Sequence, residues 1–274
     1  PLDFVLLQDL SGSFRDDVST LRTLVPSLVS SVLSIQPDTT FGVTSFVDKP
    51  ISPFGSGRSL VSSVLSDTPD TKLGETSFVN QPISPISPIS PISPISPISP
   101  ISPISPILPI SPILPIPPFG GSSDYVYQTD LALTTDTSLF QTTVDNLVTL
   151  NGGDFPESQL EALMQVALRE TEVGYRPGSR RVVLLTTDNT YHIAGDGSAA
   201  GITTPNNGDN ILDGSPAGTE EDYPDINQVR SALTSANIVP IFAVTSDQIS
   251  TYQNLVDQLG FGVVEELTSN SSNI

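Results

Sequence analysis

A short apolar run that ends in polar residues constrains the fold more than any other feature of this sequence. Phe4-Val5-Leu6-Leu7 is typical of a buried parallel strand, and Asp9-Leu10-Ser11-Gly12-Ser13 follows it, ahead of a helical pattern. One carboxylate and two hydroxyls therefore converge at the carboxyl end of a central strand, where open α/β sheets bind ligands. Such oxygen atoms suit a hard divalent cation such as Mg²⁺. The alternative is a strand-to-helix turn in which Ser11 or Ser13 caps the helix.

The charge balance limits the class of partner. The 274 residues include 10 Lys+Arg and 30 Asp+Glu, a formal net charge of -20. This argues against nucleic acid and anionic membranes, whose phosphates would be repelled, and it suits divalent cations. No cysteine is present, so the redox compartment cannot be read from disulfides. We find no signal peptide and no unbroken apolar run that could span a bilayer, and we expect a domain of a larger protein.

Strands and helices alternate along the rest of the chain. Further strands are predicted at residues 181–187, 238–244 and 261–265, with an edge strand between 125 and 133. Helices are predicted at residues 14–34, 137–150, 156–168, 224–235 and 248–259, and Pro26 should kink or restart the first. The pattern predicts an α/β fold, a doubly wound, mostly parallel sheet with one antiparallel edge strand.

Polar residues that follow these strands are expected to share one crevice, because the carboxyl ends of adjacent strands are neighbours. They are Asp9, Ser11, Ser13, Glu157 and Asp188. Two more carboxylates, Asp16 and Asp17, lie in the first turn of the first helix. They either complement the helix dipole, which contributes about 0.3–1 kcal/mol, or hold a second cation.

An internal duplication interrupts the alternation. Residues 27–34 return as residues 59–66, and the likeness persists to Pro53 and Pro85. The second copy is more polar and has Asn80 in place of Asp48, so we expect the first copy to keep the buried slot in the sheet. The second copy is then displaced toward solvent or adds a strand to the sheet.

A degenerate Ile-Ser-Pro triplet occupies residues 82–118. Proline at every third position excludes α-helix and central strand and favours polyproline II. We interpret residues 1–274 as a single domain with an insert at 55–118, made of the duplicated helix-strand unit 59–85 and the repeat 82–118. The repeat is either a product of neutral drift or a contact surface along its isoleucine stripe.

Several motifs together resemble the von Willebrand factor A fold and, within it, the I-like domain of integrin β subunits. The resemblance covers nearly the whole chain outside the insert. It is carried by Asp9-Leu10-Ser11-Gly12-Ser13 with Asp16-Asp17, Ser45-Phe46-Val47-Asp48-Lys49-Pro50-Ile51-Ser52-Pro53, Thr186-Thr187-Asp188, His192-Ile193-Ala194, Asp222-Tyr223-Pro224 and Ile241-Phe242-Ala243-Val244-Thr245.

The resemblance implies three adjacent cation sites. A central Mg²⁺ would be held by Asp9, Ser11, Ser13, Glu157 and Asp188. A flanking Ca²⁺ would use Asp16, Asp17 and the carbonyls of Ser13 and Ser269. The other flanking Ca²⁺ would use Asp48, Asp154, Glu157 and the carbonyl of Pro156.

The third of these sites departs from the family pattern. The family usually has Asn two residues before the aspartate, where this chain has Gly152, with Asn151 one residue further back. A bulge could bring Asn151 into the site; otherwise the site is weakened or lost. His192 is the only histidine, and a neutral imidazole can ligate a metal. It matches a family position without a ligand role, so we predict a structural role for it.

The resemblance implies a cation-dependent adhesion or protein-binding domain at the cell surface or outside the cell. Mg²⁺ would coordinate an Asp or Glu carboxylate of a protein partner, with membrane contact only through the parent protein. The insert replaces the family's specificity loop, so ligand identity does not carry over. The alternative is a structural or degenerate domain whose insert blocks ligand access. An enzyme, such as a phosphotransferase with Asp9 as nucleophile, is disfavoured because no paired lysine or nucleophile-histidine arrangement supports it.

Overall fold

The structure is a computed structural model that describes residues 1–51, 53–54 and 123–267. The second copy of the duplication, the Ile-Ser-Pro repeat and Ser269 lie outside the described residues, so the predictions made for them remain predictions.

Six strands form one sheet in the order β3-β2-β1-β4-β5-β6. Their bounds are β1 Leu2–Asp9, β2 Thr39–Phe46, β3 Gln128–Thr134, β4 Arg180–Thr187, β5 Ile238–Thr245 and β6 Val263–Leu267. The edge strand β3 runs antiparallel to β2, whereas the other neighbours pair in parallel. The predicted mostly parallel sheet with one antiparallel edge strand is confirmed.

Helices connect the strands as the sequence predicts. They are α1 Arg15–Ile35, α2 Thr137–Asn146, α3 Gln159–Leu168, α4 Glu170–Val173, α5 Ile226–Ser235 and α6 Ile249–Leu259. The single turn α4 and a 3₁₀ helix, Asp196–Ala200, were not predicted. Both are too short to carry a helical apolar period, which is the signal on which the predictions rest.

The first helix runs through Pro26 without restarting. Proline leaves the carbonyl of Arg22 without its helical donor, and the side-chain amide of Gln141 in α2 donates to that carbonyl at 3.1 Å. Pro26 itself is exposed. By length and composition alone α1 could cross a membrane; here Val18, Leu21 and Val25 on its apolar stripe are buried in the core.

Two apolar layers cover the faces of the sheet, and β1 contributes to both. Val5 and Leu7 pack into the cluster that includes α3, α5 and α6. Phe4 and Leu6 face the opposite cluster, which includes Val18 of α1 and residues of α2. Burial on both faces explains why this strand reads as a continuous apolar run.

The strand of the first copy occupies the sheet, as expected. β2 lies between β1 and β3, with Phe46 opposite Asp9 and Ser45 opposite Gln8. Its buried Phe41 and Val43 are among the side chains that the second copy replaces. This register carries Asp48 to the same edge of the sheet as Asp9.

Candidate metal centre

Three aspartates lie just beyond the carboxyl ends of adjacent parallel strands. Asp9 is the last residue of β1, Asp188 follows β4, and Asp48 follows β2 by two residues. β1 is hydrogen-bonded to both other strands, so the three strand ends lie side by side. This is the edge at which an open α/β sheet binds ligands.

Asp9 is fully buried, and polar hydrogens hold both of its carboxylate oxygens. Oδ1 accepts a hydrogen bond from the amide of Ser11 at 2.8 Å, and Oδ2 accepts one from the hydroxyl of Thr187 at 2.6 Å. Burial and, to a smaller extent, the charge of Asp188 raise the pKa of Asp9 to about 7. The sequence motif alone assigns no role to Thr187. In the structure, its hydroxyl fixes the orientation of the Asp9 carboxylate.

The hydroxyls of Ser11 and Ser13 complete this group. Their oxygens lie 3.1 Å apart, and Ser13 donates to Oδ1 of Asp188 at 3.0 Å. The side-chain amide of Asn189 donates to Ser13 Oγ at 2.8 Å. Neither serine caps α1, whose N-cap is Phe14 without a side-chain capping bond. We call Asp9, Ser11, Ser13 and Asp188 the central group.

The fifth residue predicted for the central site, Glu157, enters from a loop. Its amide donates to the carbonyl of Thr190, and its own carbonyl accepts from the amide of His192, which forms a short parallel bridge. Its side chain is buried, and its Oε2 has no hydrogen-bond partner among the described residues. Burial, then the charges of Asp9, Asp48 and Asp154, raise the pKa of Glu157 strongly. The Glu157 carboxylate is therefore close enough to feel the charge of Asp9 on one side and of Asp48 and Asp154 on the other.

Gly152 occupies the family's asparagine position and makes room for Glu157. It has a positive φ of 60°, and a Cβ there would lie 2.4 Å from Glu157 Oε1. A side chain at this position would displace the Glu157 carboxylate. Asn151 is exposed, and its carbonyl accepts from the amide of Gly12 at 3.0 Å. This hydrogen bond ties the backbone of Asn151 to the loop that carries Ser11 and Ser13.

A second group forms around His192, for which the sequence predicted a structural role. Nε2 of His192 lies 3.4 Å from Asp48 Oδ2 and 3.5 Å from Asp154 Oδ1. One ligand atom from each residue lies within 4.8 Å of the other two. We call Asp48, Asp154 and His192 the histidine group.

The histidine group is strongly charged for a buried cluster. Burial lowers the pKa of His192, but the carboxylates of Asp154, Asp48 and Asp196 outweigh burial and raise it to about 10. Burial raises the pKa of Asp48 in spite of His192. Tyr223 donates its hydroxyl to Asp48 Oδ1, and the amide of Lys49 donates to the same oxygen at 2.7 Å.

The other residues predicted to bind cations, Asp16, Asp17 and Pro156, lie in the segments next to these two groups. Asp17 is buried in the first turn of α1, and its charge contributes to a raised pKa of about 6 at Asp188, for which burial is the main cause. Asp16 beside it is exposed. Pro156 is half-buried and precedes Glu157.

The residues present fit a divalent cation. In residues 1–51, 53–54 and 123–267, no lysine or arginine comes within 4 Å of the carboxylates of Asp9, Asp48, Asp154 or Glu157. Lys49 is buried nearby, but its ammonium donates to the carbonyl of Gly218 at 2.6 Å and lies over the Tyr223 ring. Asp9 and Glu157 are thus buried carboxylates without a basic partner among the described residues, and such groups are costly unless a cation compensates them.

Comparison with known proteins shows the family of this chain. The model of the integrin beta chain VWA domain matches residues 1–60 and 55–274. Human integrin beta-7 is 32% identical over 277 residues, which cover 100% of this chain and 29% of that protein. Integrin beta-PS of Drosophila melanogaster is 28% identical over 279 residues, which cover 100% of this chain and 27% of that protein.

Among solved structures, the SpRpn10 VWA domain aligns with 98% of this chain and 91% of its own, with 9% identity and a TM-score of 0.44. The chain spans less than a third of the length of the integrin relatives named above. The family model accounts for nearly every residue, and on that ground the chain belongs to the integrin beta chain VWA domain family.

Proposed function

We propose that this domain mediates adhesion by binding a protein partner in a manner that depends on divalent cations. The observation that carries the proposal is the central group, in which Asp9, Ser11, Ser13 and Asp188 are joined by hydrogen bonds at the carboxyl end of the sheet. A Mg²⁺ ion held there would offer a coordination position to an Asp or Glu carboxylate of the partner.

The chemistry of the donor set favours this role. Serine hydroxyls add no charge, so an ion beside Asp9 stays electropositive enough to accept another carboxylate. Thr187 keeps Asp9 in place through a hydrogen bond of 2.6 Å, and Asn189 does the same for Ser13 at 2.8 Å. The unpartnered Oε2 of Glu157 is available as a further ligand.

Two flanking cation sites belong to the same proposal. One would use Asp16 and Asp17 with the carbonyls of Ser13 and Ser269, and the other Asp48, Asp154 and Glu157 with the carbonyl of Pro156. We further propose a single domain with an insert at residues 55–118, exposed at the cell surface or outside the cell as part of a longer protein. The proposal assigns no catalytic step to any residue.

A second candidate is a structural domain whose insert blocks the partner. The chain leaves the described residues at Phe54, which packs 4.8 Å from the ring of His192, and returns near Tyr125, whose carbonyl accepts from the amide of Val47. Phe54 and Tyr125, the described residues on either side of this gap, therefore lie at the carboxyl edge of the sheet. The two candidates differ in partner binding and agree in cation binding.

Calorimetry tests the cation site directly. We expect heat on addition of Mg²⁺ to the wild-type chain and its loss in Asp9→Ala. The exposed aspartate of α6 provides the matched control, and Asp257→Ala should keep the heat. The proposal fails if the wild-type chain gives no Mg²⁺-dependent heat. If the heat is present but peptides with an Asp side chain bind neither with Mg²⁺ nor with EDTA, the structural candidate is favoured.

A further inference from the structure

The three facing atoms of the histidine group have no hydrogen-bond partner. Asp48 Oδ2, Asp154 Oδ1 and His192 Nε2 are all buried and unsatisfied among the described residues. The side chains of Asp48, His192 and Asp154 are only 0%, 4% and 8% exposed. Unpaired polar atoms in such a place are costly, and each requires an explanation.

Two of the three separations match those of ligands around a common ion, and all three ligand atoms lie within 4.8 Å of one another. Nitrogen and oxygen ligands at about 2.0–2.2 Å from a tetrahedral metal lie about 3.4 Å from each other. The imidazole nitrogen lies 3.4 Å from Asp48 Oδ2 and 3.5 Å from Asp154 Oδ1. These separations exceed ordinary N–H···O hydrogen-bond lengths.

The other side of the imidazole is oriented as in a metal-bound histidine. Nδ1 lies 3.0 Å from Asp196 Oδ2, which also accepts from the amide of Ile193 at 3.0 Å. Asp196 can accept the proton of Nδ1, so Nε2, the nitrogen that faces Asp48 and Asp154, is the one that can give up its proton to a metal ion. A carboxylate behind a ligating histidine is the usual second partner in metal sites.

Packing holds the ring in this direction. Tyr223 stacks on the imidazole at 4.5 Å between centroids with an angle of 20°, and Phe54 meets it edge-on at 4.8 Å. Tyr223 also occupies Asp48 Oδ1, so the free oxygen of Asp48 is the one that faces His192.

We propose that Asp48, Asp154 and His192 form a mixed nitrogen and oxygen site for a divalent transition metal of the Mn²⁺ to Zn²⁺ series. Imidazole suits these ions, whereas Ca²⁺ takes six to eight oxygen ligands. The inference rests on the third cation site of the proposed function and changes its ligand set and its ion. It is independent of the central group.

The one histidine of the chain makes this site directly observable. In the untagged chain of residues 1–274 labelled with ¹⁵N-histidine, a long-range proton–nitrogen spectrum contains a single imidazole. We expect stoichiometric Zn²⁺, added with Mg²⁺ and Ca²⁺ in excess, to shift the Nε2 resonance while Nδ1 keeps its proton. Asp154→Asn should weaken this response at least tenfold, and Asp257→Asn should leave it unchanged.

Two results would overturn the inference. If both nitrogens stay protonated and unmoved at neutral pH with tenfold excess Zn²⁺, the imidazolium itself balances the two aspartates. If Ca²⁺ shifts Nε2 as strongly as Zn²⁺, the site has no preference for transition metals. Asp9→Ala separates this test from the previous one, because it should lose the Mg²⁺ heat and keep the Zn²⁺ response of His192.

Discussion

Strand β1 carries a buried aspartate near each end, and the two are compensated in different ways. Asp3 and Asp9 are both 0% exposed. The guanidinium Nε of Arg176 lies 2.6 Å from Asp3 Oδ1, and the amide of Arg176 donates to Oδ2 at 2.7 Å. The hydroxyls of Ser179 and Thr40 donate to the same carboxylate.

The net effect on the two carboxylates is opposite. Burial on its own would raise the pKa of Asp3, but the hydrogen bonds from Ser179, Arg176 and Thr40 lower it. At Asp9, burial outweighs the bonds from Thr187 and Ser11 and raises the pKa to about 7. The amino end of the strand is thus neutralised by the chain itself, whereas the carboxyl end depends on a charge from outside the chain.

This contrast separates a structural carboxylate from a functional one. A paired and fully hydrogen-bonded aspartate has no capacity left for a ligand. At the carboxyl edge, one oxygen each of Glu157, Asp48 and Asp154 has no hydrogen-bond partner among the described residues. Such oxygens destabilise the fold, and a bound ion would offset that cost. The following predictions test this difference, beginning with the largest expected effect.

Replacing Asp3 should destabilise the fold whatever the cation concentration. We expect Asp3→Asn to lower the free energy of unfolding by about 3 kcal/mol, the lower end for a broken buried pair, because Arg176 is 29% exposed. Urea unfolding with Mg²⁺ and with EDTA measures this loss. A loss below about 1 kcal/mol, or one that depends on Mg²⁺, would contradict the structural role of Asp3.

Cations should stabilise the other end of the strand. At a Mg²⁺ concentration of 100 times Kd we expect the free energy of unfolding to rise by about 2.7 kcal/mol in the wild-type chain. In Asp9→Asn the gain should disappear, because the charged ligand is gone. Asp257→Asn is the control and should keep the full gain. Equal stabilisation of wild type and Asp9→Asn would remove Asp9 from the site.

The serines at the two ends should also differ. Ser179→Ala removes a hydroxyl that donates to Asp3 at 2.6 Å, so we expect a loss of about 1.5 kcal/mol in either condition. Ser13→Ala should cost less than about 0.5 kcal/mol in EDTA but weaken Mg²⁺ binding about tenfold. Urea unfolding and calorimetry distinguish the two outcomes. A large metal-free loss in Ser13→Ala would make Ser13 a structural residue.

The pH dependence of stability should have opposite signs at the two ends. An unfolded aspartate titrates near pH 4 and native Asp9 near 7, so between about pH 4 and 7 the native state keeps a proton that the unfolded chain loses. Metal-free stability should therefore fall as pH rises through this window, by less than about 1 kcal/mol per pH unit. Asp3, whose pKa is lowered, should contribute stability above about pH 4 and lose it below.

Unfolding at several pH values, in EDTA, checks this slope. Asp9→Asn should make the slope less steep between pH 4 and 7, and so should saturating Mg²⁺ in the wild-type chain, while the raised pKa values of Glu157 and Asp188 keep part of it. A steeper slope in Asp9→Asn than in wild type would mean that other groups dominate the titration.

Much of the fold follows from the apolar pattern alone. β1 and β4 are buried between two helical layers, so their sequences are continuous apolar runs, and the carboxylates after them mark the ligand edge. The choice between the two copies also followed from burial, because Phe41 and Val43 of the first copy lie in the core. The predicted restart of α1 at Pro26 did not occur, and the donor that reaches the carbonyl of Arg22, Gln141, is distant in sequence.

The placement of His192 beside Asp48 and Asp154 could not be predicted from the sequence in the same way. Its backbone is held by a bridge between Glu157 and Tyr191, which belong to two irregular loops with no periodic pattern. A usable signal was the spacing of His192 and Asp196, four residues apart, which is compatible with a carboxylate behind the imidazole. The ring partners Phe54 and Tyr223 come from remote segments that only the folded chain brings together.

Anomalous diffraction from crystals grown with Mn²⁺, which takes the same oxygen ligands as Mg²⁺, tests the central claim most directly. We expect a difference peak within about 2.3 Å of a carboxylate oxygen of Asp9 and of the hydroxyl oxygens of Ser11 and Ser13. If no peak appeared there at saturating Mn²⁺ while these side chains kept their present hydrogen bonds, the central group would not be a cation site.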